Sequence, residues 1–358
     1  MLVGSQKMKS KIESLQVLRA FAAVFVVVNH LWGEYDTTIT QSLGLNIIGN
    51  FGVDAFFILS GFIMCYKTRE DSRLGLSTGI DFIKKRIERI YPIFLIILIP
   101  FMLLYLKQTH PARIYEIIGN IFLLPSFTSN PSYHMLIGPS WSLVYEMFFY
   151  IIYAVVMMLV RNKKQLVIFS VGFLVLMVVT IDAFSLRGPE LGASNFSYMI
   201  GDPLMINFAM GCLYAQCFNK LHQVKISIPL ATIMILAFFI LGMWLNEKGI
   251  ARFVSFGLPA MAIVIIFSLM DASGSRSYRL LVYLGNASYS IYITHFFTQV
   301  CALILFSHMN INHDLYGIIF SMVSVIAACL FYSLIEKRII LAFQKRSLHQ
   351  RVPKDVIQ

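Results

Sequence analysis

Apolar stretches of about twenty residues recur along this 358-residue chain, and the short segments between them hold most of its charge. A helix rising 1.5 Å per residue needs roughly 20 apolar residues to cross the hydrocarbon core of a bilayer. Spans read at 15–33, 50–66, 88–106, 141–160, 165–182, 200–218, 228–246, 252–271, 287–306 and 315–335. They predict an all-α polytopic membrane protein of about ten transmembrane helices. A soluble domain carries about 25% charged residues; this chain carries 13%, which excludes that class. With no internal repeat, low-complexity linker or appended soluble domain in sight, residues 1–358 read as a single membrane domain.

The placement of the cations sets the orientation. Of 29 Lys and Arg residues, 24 fall on one side of the expected spans: the N-terminal segment with Arg19, the 67–89, 161–164, 219–227 and 272–286 loops, and the tail. The other side holds Lys107, Arg113, Arg187, Lys248 and Arg252. Cytoplasmic loops are the Lys/Arg-rich ones, so both termini are expected in the cytoplasm. The net charge of +11 is thus an orientation signal, with membrane lipids as its partners and not nucleic acid. Lys7, Lys9 and Lys11 ahead of an apolar run resemble a signal peptide, but no small-residue cleavage site follows, and the run reads as an uncleaved first helix. Cys65, Cys212, Cys217, Cys301 and Cys329 all sit in apolar runs without CxxC or metal-ligand spacing, as packing residues do. A short interfacial helix is expected near 114–124 in the long 107–140 loop.

Ionisable side chains within spans are costly and become functional candidates. Arg19 and His30 are 11 residues apart, which brings them to within about 20° of the same helix face and about 16 Å apart along the axis. Arg19 then lies at the cytoplasmic edge and His30 toward the outer leaflet; the bland alternative is a flanking anchor and an interfacial histidine. In Gly52-Val53-Asp54-Ala55-Phe56-Phe57-Ile58-Leu59-Ser60-Gly61-Phe62, Asp54 reads equally as a helix cap and as a functional carboxylate, while Ser60-Gly61 reads as a close-packing spot. Arg86 and Arg89, following Lys84 and Lys85, share a helix face. They suit either anionic lipid or a bidentate phosphate clamp. Glu146 lies about 8 Å below Trp141, at a depth matching His30, with Ser142 one turn before it. A carboxylate and an imidazole so placed form either the base-and-orienter pair of general-base catalysis or a structural hydrogen bond. Tyr292 and His295 share a face of the ninth span; His308 and His313 fall in an outer loop. No His/Glu spacing suggests a metal, and no glycine-rich phosphate loop appears.

Together, Leu18-Arg19-Ala20 with His30, the Gly52–Phe62 segment, Arg86-x-x-Arg89-Ile90-Tyr91-Pro92, Ser140-Trp141-Ser142-Leu143-Val144-Tyr145-Glu146 and Ser288-Tyr289-Ser290-Ile291-Tyr292-Ile293-Thr294-His295 resemble the acyltransferase-3 family, bacterial integral membrane O-acyltransferases of surface polysaccharides. The motifs come in order and cover essentially the whole chain. The resemblance implies a bacterial inner-membrane location and an acyl-CoA donor such as acetyl-CoA in the cytoplasm. It also implies a sugar hydroxyl as acceptor, on a surface polysaccharide (O-antigen, capsule or exopolysaccharide) or its lipid-linked oligosaccharide precursor. Arg19 and His30 match the family's Arg-x10-His signature. Where many relatives carry a second acidic residue after the Glu of the Trp-Ser-Leu motif, this chain has Met147, and Glu146 is taken as the equivalent. Some family members carry a fused extracytoplasmic hydrolase-like domain, which is not expected here.

The expected scheme places His30 and Glu146 as the catalytic pair and Arg19, Arg86 and Arg89 on the phosphates of CoA. Asp54, Trp141, Ser142, Tyr292 and His295 are expected in substrate-binding or supporting roles, with no metal. The rival is a multi-pass transporter using Arg19, His30, Asp54 and Glu146 as a relay. It calls for inverted repeats and broken helices, and the sequence shows no such repeat and mostly unbroken spans.

Overall fold

A computed structural model describes residues 2–68, 74–107, 113–130, 132–221, 223–270, 275–306 and 312–351. Arg69, Arg73, Pro111, Pro131, His308 and Lys354 lie outside the described residues. Fifteen α-helices follow one another: α1 (Leu2–Val28), α2 (Thr38–Ser42), α3 (Ile48–Thr68), α4 (Leu76–Leu106), α5 (Ile114–Phe122), α6 (Trp141–Leu159), α7 (Lys163–Ala183), α8 (Phe196–Met199), α9 (Leu204–Leu221), α10 (Ile228–Glu247), α11 (Leu258–Leu269), α12 (Arg276–Asn286), α13 (Ser288–Phe306), α14 (His313–Phe331) and α15 (Lys337–Arg351). No strand forms among the described residues. Two isolated bridges, Ser126 with Asn195 and Ile226 with Met270, tie loops together. This is what a lipid solvent demands, since each helix satisfies its own backbone groups.

Among the described residues, eight helices are long and apolar enough to cross a membrane, and the chain is a multi-pass membrane protein. The expected spans at 200–218 and 252–271 appear as the shorter apolar helices Leu204–Phe218 and Phe253–Leu269. The helix expected near 114–124 is α5, ended by Leu123 in the left-handed region at φ 53°. Among the described residues, three of the apolar segments contain a π-turn. A π-turn over Asn29–Gly33 extends α1, another over Phe253–Gly257 opens α11, and a third over Tyr332–Glu336 joins α14 to α15.

α3 lies at the centre of the bundle. Its apolar window is 78% buried, against 11% for α10 at the lipid-facing rim. Between helices in lipid there is little hydrophobic drive, so contact depends on close van der Waals fit. Glycines supply it: a Cβ on Gly211 would lie 2.0 Å from the Ile58 carbonyl oxygen, and one on Gly61 would lie 2.1 Å from that of Phe208. The α3–α9 seam continues in rings, with Phe208 stacked between Phe57 (4.6 Å) and Phe149 of α6 (4.3 Å).

Candidate active site

α1 and α13 carry two polar clusters at different depths of the bundle. In the first, Arg19 Nε donates to Ser288 Oγ at 3.2 Å. Arg19, Arg86, Arg89, Glu146, Ser60 and Tyr150 line a cavity of about 770 Å³, its open mouth included, whose remaining walls come from α3, α4, α6 and α13. Glu146 accepts hydrogen bonds from Ser60 Oγ at 2.7 Å and from the Tyr150 hydroxyl. Arg86 is only 8% exposed, its guanidinium lies over the rings of Phe82 (5.1 Å) and Tyr150 (5.5 Å), and its Nε has no hydrogen-bond partner. A buried guanidinium N–H without an acceptor costs free energy, and an anionic oxygen entering the cavity would relieve that cost. Glu336, buried at the π-turn after α14, accepts from Ser290 Oγ on α13. Ser60-Gly61 divides its roles: Gly61 packs against α9, as its small size predicts, while Ser60 turns the other way to hold Glu146.

The second cluster surrounds His30 in the first π-turn. His30 Nδ1 lies 3.1 Å from Glu34 Oε1, and the other oxygen of Glu34 accepts from Gln299 Nε2 at 3.0 Å. The same Gln299 amide donates to the His30 carbonyl oxygen at 3.0 Å. A carboxylate can only accept, so Nδ1 carries the proton and the lone pair of the neutral ring resides on Nε2. The carboxylate hydrogen-bonded to His30 is therefore Glu34 and not Glu146, whose partners Ser60 and Tyr150 belong to the cationic cavity. Helix rise fixes the depth of Glu146 along the axis but not the direction in which α6 turns it. His30 itself is part-exposed, with 35% of its side chain accessible.

His295, fully buried, stacks against His30 with ring centroids 5.3 Å apart and planes at 22°. Neither of its ring nitrogens has a partner with hydrogen-bond geometry. Tyr292 stands between the two clusters. Its hydroxyl donates to the Pro139 carbonyl oxygen at 2.8 Å and lies 2.6 Å from Ser142 Oγ. Its ring meets Phe56 edge-on at 5.9 Å and His295 at 6.0 Å. Phe56, Tyr292 and Ser142 line the cationic cavity, and neither histidine does.

Two predicted residues sit elsewhere. Asp54, fully buried, lies well inside α3 and caps nothing. It forms an ion pair with Arg252 (2.8 and 3.0 Å) and accepts from Asn207 Nδ2 at 2.6 Å. Asp54 and Arg252 border a second cavity with Arg187 and Asp202, and Asp202 accepts from the Tyr145 hydroxyl at 2.9 Å. Trp141 packs edge-on to Tyr145 at 5.4 Å and does not line the cationic cavity. Glu34 and Gln299 were not anticipated. Glu34 was within reach, since it lies four residues after His30 and so on its helix face; Gln299 carried no signal, because only the packing of α13 on α1 brings it there.

Residues 12–334 match the model of the acyltransferase-3 family, described as an acyltransferase domain. The chain is 28% identical over 264 residues to the exopolysaccharide production protein ExoZ of Rhizobium meliloti, covering 70% of this chain and 76% of that protein. It is 23% identical over 326 residues to the O-acetyltransferase OatA of Staphylococcus aureus, covering 79% of this chain and about half (49%) of that protein. No solved structure matches the chain significantly.

Proposed function

The chain belongs to the acyltransferase-3 family of membrane O-acyltransferases, and from that premise we propose that it moves a short acyl group, such as acetyl, from cytoplasmic acyl-CoA to a sugar hydroxyl of a surface polysaccharide or its lipid-linked precursor. In this scheme the protein spans the inner membrane ten times with both termini in the cytoplasm. The donor's phosphates meet Arg86, Arg89 and Arg19, where the unpartnered Arg86 Nε and paired guanidinium spacing suit phosphate oxygens. Glu146, held by Ser60 and Tyr150, shares that cavity with the three arginines.

The observation that carries this reading is the His30–Glu34 pair. An imidazole held by a carboxylate through Nδ1 presents Nε2 as a general base. Nε2 takes the proton of the acceptor hydroxyl as its oxygen attacks the thioester carbonyl carbon. The new ester C–O bond forms, the C–S bond breaks, and the imidazolium returns its proton to the departing thiolate. CoA-SH and the O-acylated sugar leave, and His30 is restored. His295 stacks on His30 on one side and meets the Tyr292 ring on the other.

The test is NMR of the surface polysaccharide from cells carrying the wild-type gene, a deletion, and His30→Ala at matched membrane expression. O-acyl signals present in the first and absent from the other two are expected. Acylation unchanged in the deletion strain means that the chain is not the acyltransferase of that glycan.

A further inference from the structure

The cationic cavity ends where the histidine pair begins, and the end wall is made of two rings. Phe56 on α3 and Tyr292 on α13 face each other edge-on, with His295 directly behind Tyr292. The Tyr292 hydroxyl is tied to the turn that opens α6 by the Pro139 carbonyl oxygen and Ser142. Phe57, Val53 and Leu143 complete an apolar lining at this end, while the arginines and Glu146 supply the polar lining.

An acyl thioester that enters with its phosphates on the arginines advances tip first, and its tip is the acyl group. The first protein atoms in front of that group are the rings of Phe56 and Tyr292. For the carbonyl carbon to come within reach of His30, the Tyr292 ring must swing off its two hydrogen bonds. Each added methylene on the acyl chain then has to share the space it vacates. We propose that Phe56 and Tyr292 set the acyl-chain length this enzyme accepts, with Tyr292 as a door latched by Ser142 and Pro139. This specificity rests on the acyltransferase reading above. In a tight apolar pocket one methylene is discriminated by about ten-fold or more, so a two-carbon acyl group is favoured over a four-carbon one by about a hundred-fold.

The experiment uses inverted membrane vesicles from a strain lacking the chromosomal gene and complemented with wild type, Tyr292→Leu or Phe56→Ala. Radiolabelled acetyl-, propionyl- and butyryl-CoA are supplied, and label in the glycan fraction is counted. Wild type is expected to prefer acetyl-CoA, and each variant to narrow the acetyl-to-butyryl ratio by about ten-fold or more. Thermal stabilisation of the detergent-purified proteins by butyryl-CoA relative to acetyl-CoA reports the same preference without turnover, and it decides the matter if a variant binds but does not react. The two substitutions open the wall from different helices, so a folding failure in one leaves the other to decide. A preference unchanged from wild type in the folded variants, by both measurements, overturns the gauge and leaves the acyltransferase reading intact. Label entering the glycan from no acyl-CoA in the wild type overturns that reading itself.

Discussion

At the scale of single residues, the difference between Glu34 and Glu146 is a difference of roles. Glu146 sits among arginines and hydroxyls, while Glu34 holds one nitrogen of the proposed base. Glu34→Gln tests this sharply, because the amide keeps the shape of the carboxylate yet is able to donate to Nδ1. That exchange moves the ring proton to Nε2 and removes the lone pair that catalysis needs. A fall in kcat of about a hundred-fold or more is expected with KM for acyl-CoA little changed, measured as label transfer in vesicles. Recovery of most activity in Glu34→Asp would fit the orienting role; full activity in Glu34→Gln would remove Glu34 from the mechanism. Among the predicted residues, Arg19, Arg86, Arg89, Glu146 and Ser142 line one cavity, and His30 and His295 form a second cluster joined to it by Tyr292. Residue type and spacing made these legible. Asp54 illustrates the limit: its partner Arg252 is 198 positions away, and nothing local distinguishes a buried ion pair from a functional carboxylate. Removing one partner of such a pair leaves an uncompensated charge, whereas the intact pair contributes little on its own.

At the scale of helices, the π-turn that carries His30 differs from the regular helix used to place it opposite Arg19. π-bulges widen the winding for one turn and occur often at functional sites; here the turn sets His30 beside α13, where Gln299 donates to its carbonyl oxygen, and Glu34 follows directly and reaches back to Nδ1. Hydropathy cannot register such a change, because it depends on residue type and not on how tightly the backbone is wound. The α3–α9 seam behaves in the opposite way, since its glycines are visible in sequence and their packing follows from size alone. Gly211→Val would drive a side chain into the Ile58 carbonyl, whose backbone has no room to retreat. Loss of the monodisperse peak in detergent size-exclusion chromatography is expected, with Gly172→Val, where nothing lies within 4 Å, behaving as wild type.

For the molecule as a whole, apolar length is enough to indicate that the chain crosses a membrane several times, because it is summed over many residues, and cation placement supplies the expected orientation. Eight spans emerge with the required length, and the two short ones at Leu204–Phe218 and Phe253–Leu269 are helices whose neighbours bury them. The proposed ten-span threading places Lys248 outside and Lys164 inside. In a chain whose five native cysteines are replaced, Lys248→Cys should react with an impermeant maleimide in intact spheroplasts, and Lys164→Cys only after permeabilisation; the reverse pattern would invert the topology. The wall formed by Phe56 and Tyr292 has a consequence at this scale as well. An unbroken polar file from the arginines to His30 would offer protons and small ions a shortcut across the bilayer. The transmembrane voltage drives each such charge with about 2.3 kcal/mol per 100 mV. On the proposal above, the closed rings interrupt any such file, so that a cell would be able to populate its membrane with this protein without discharging the gradient across it.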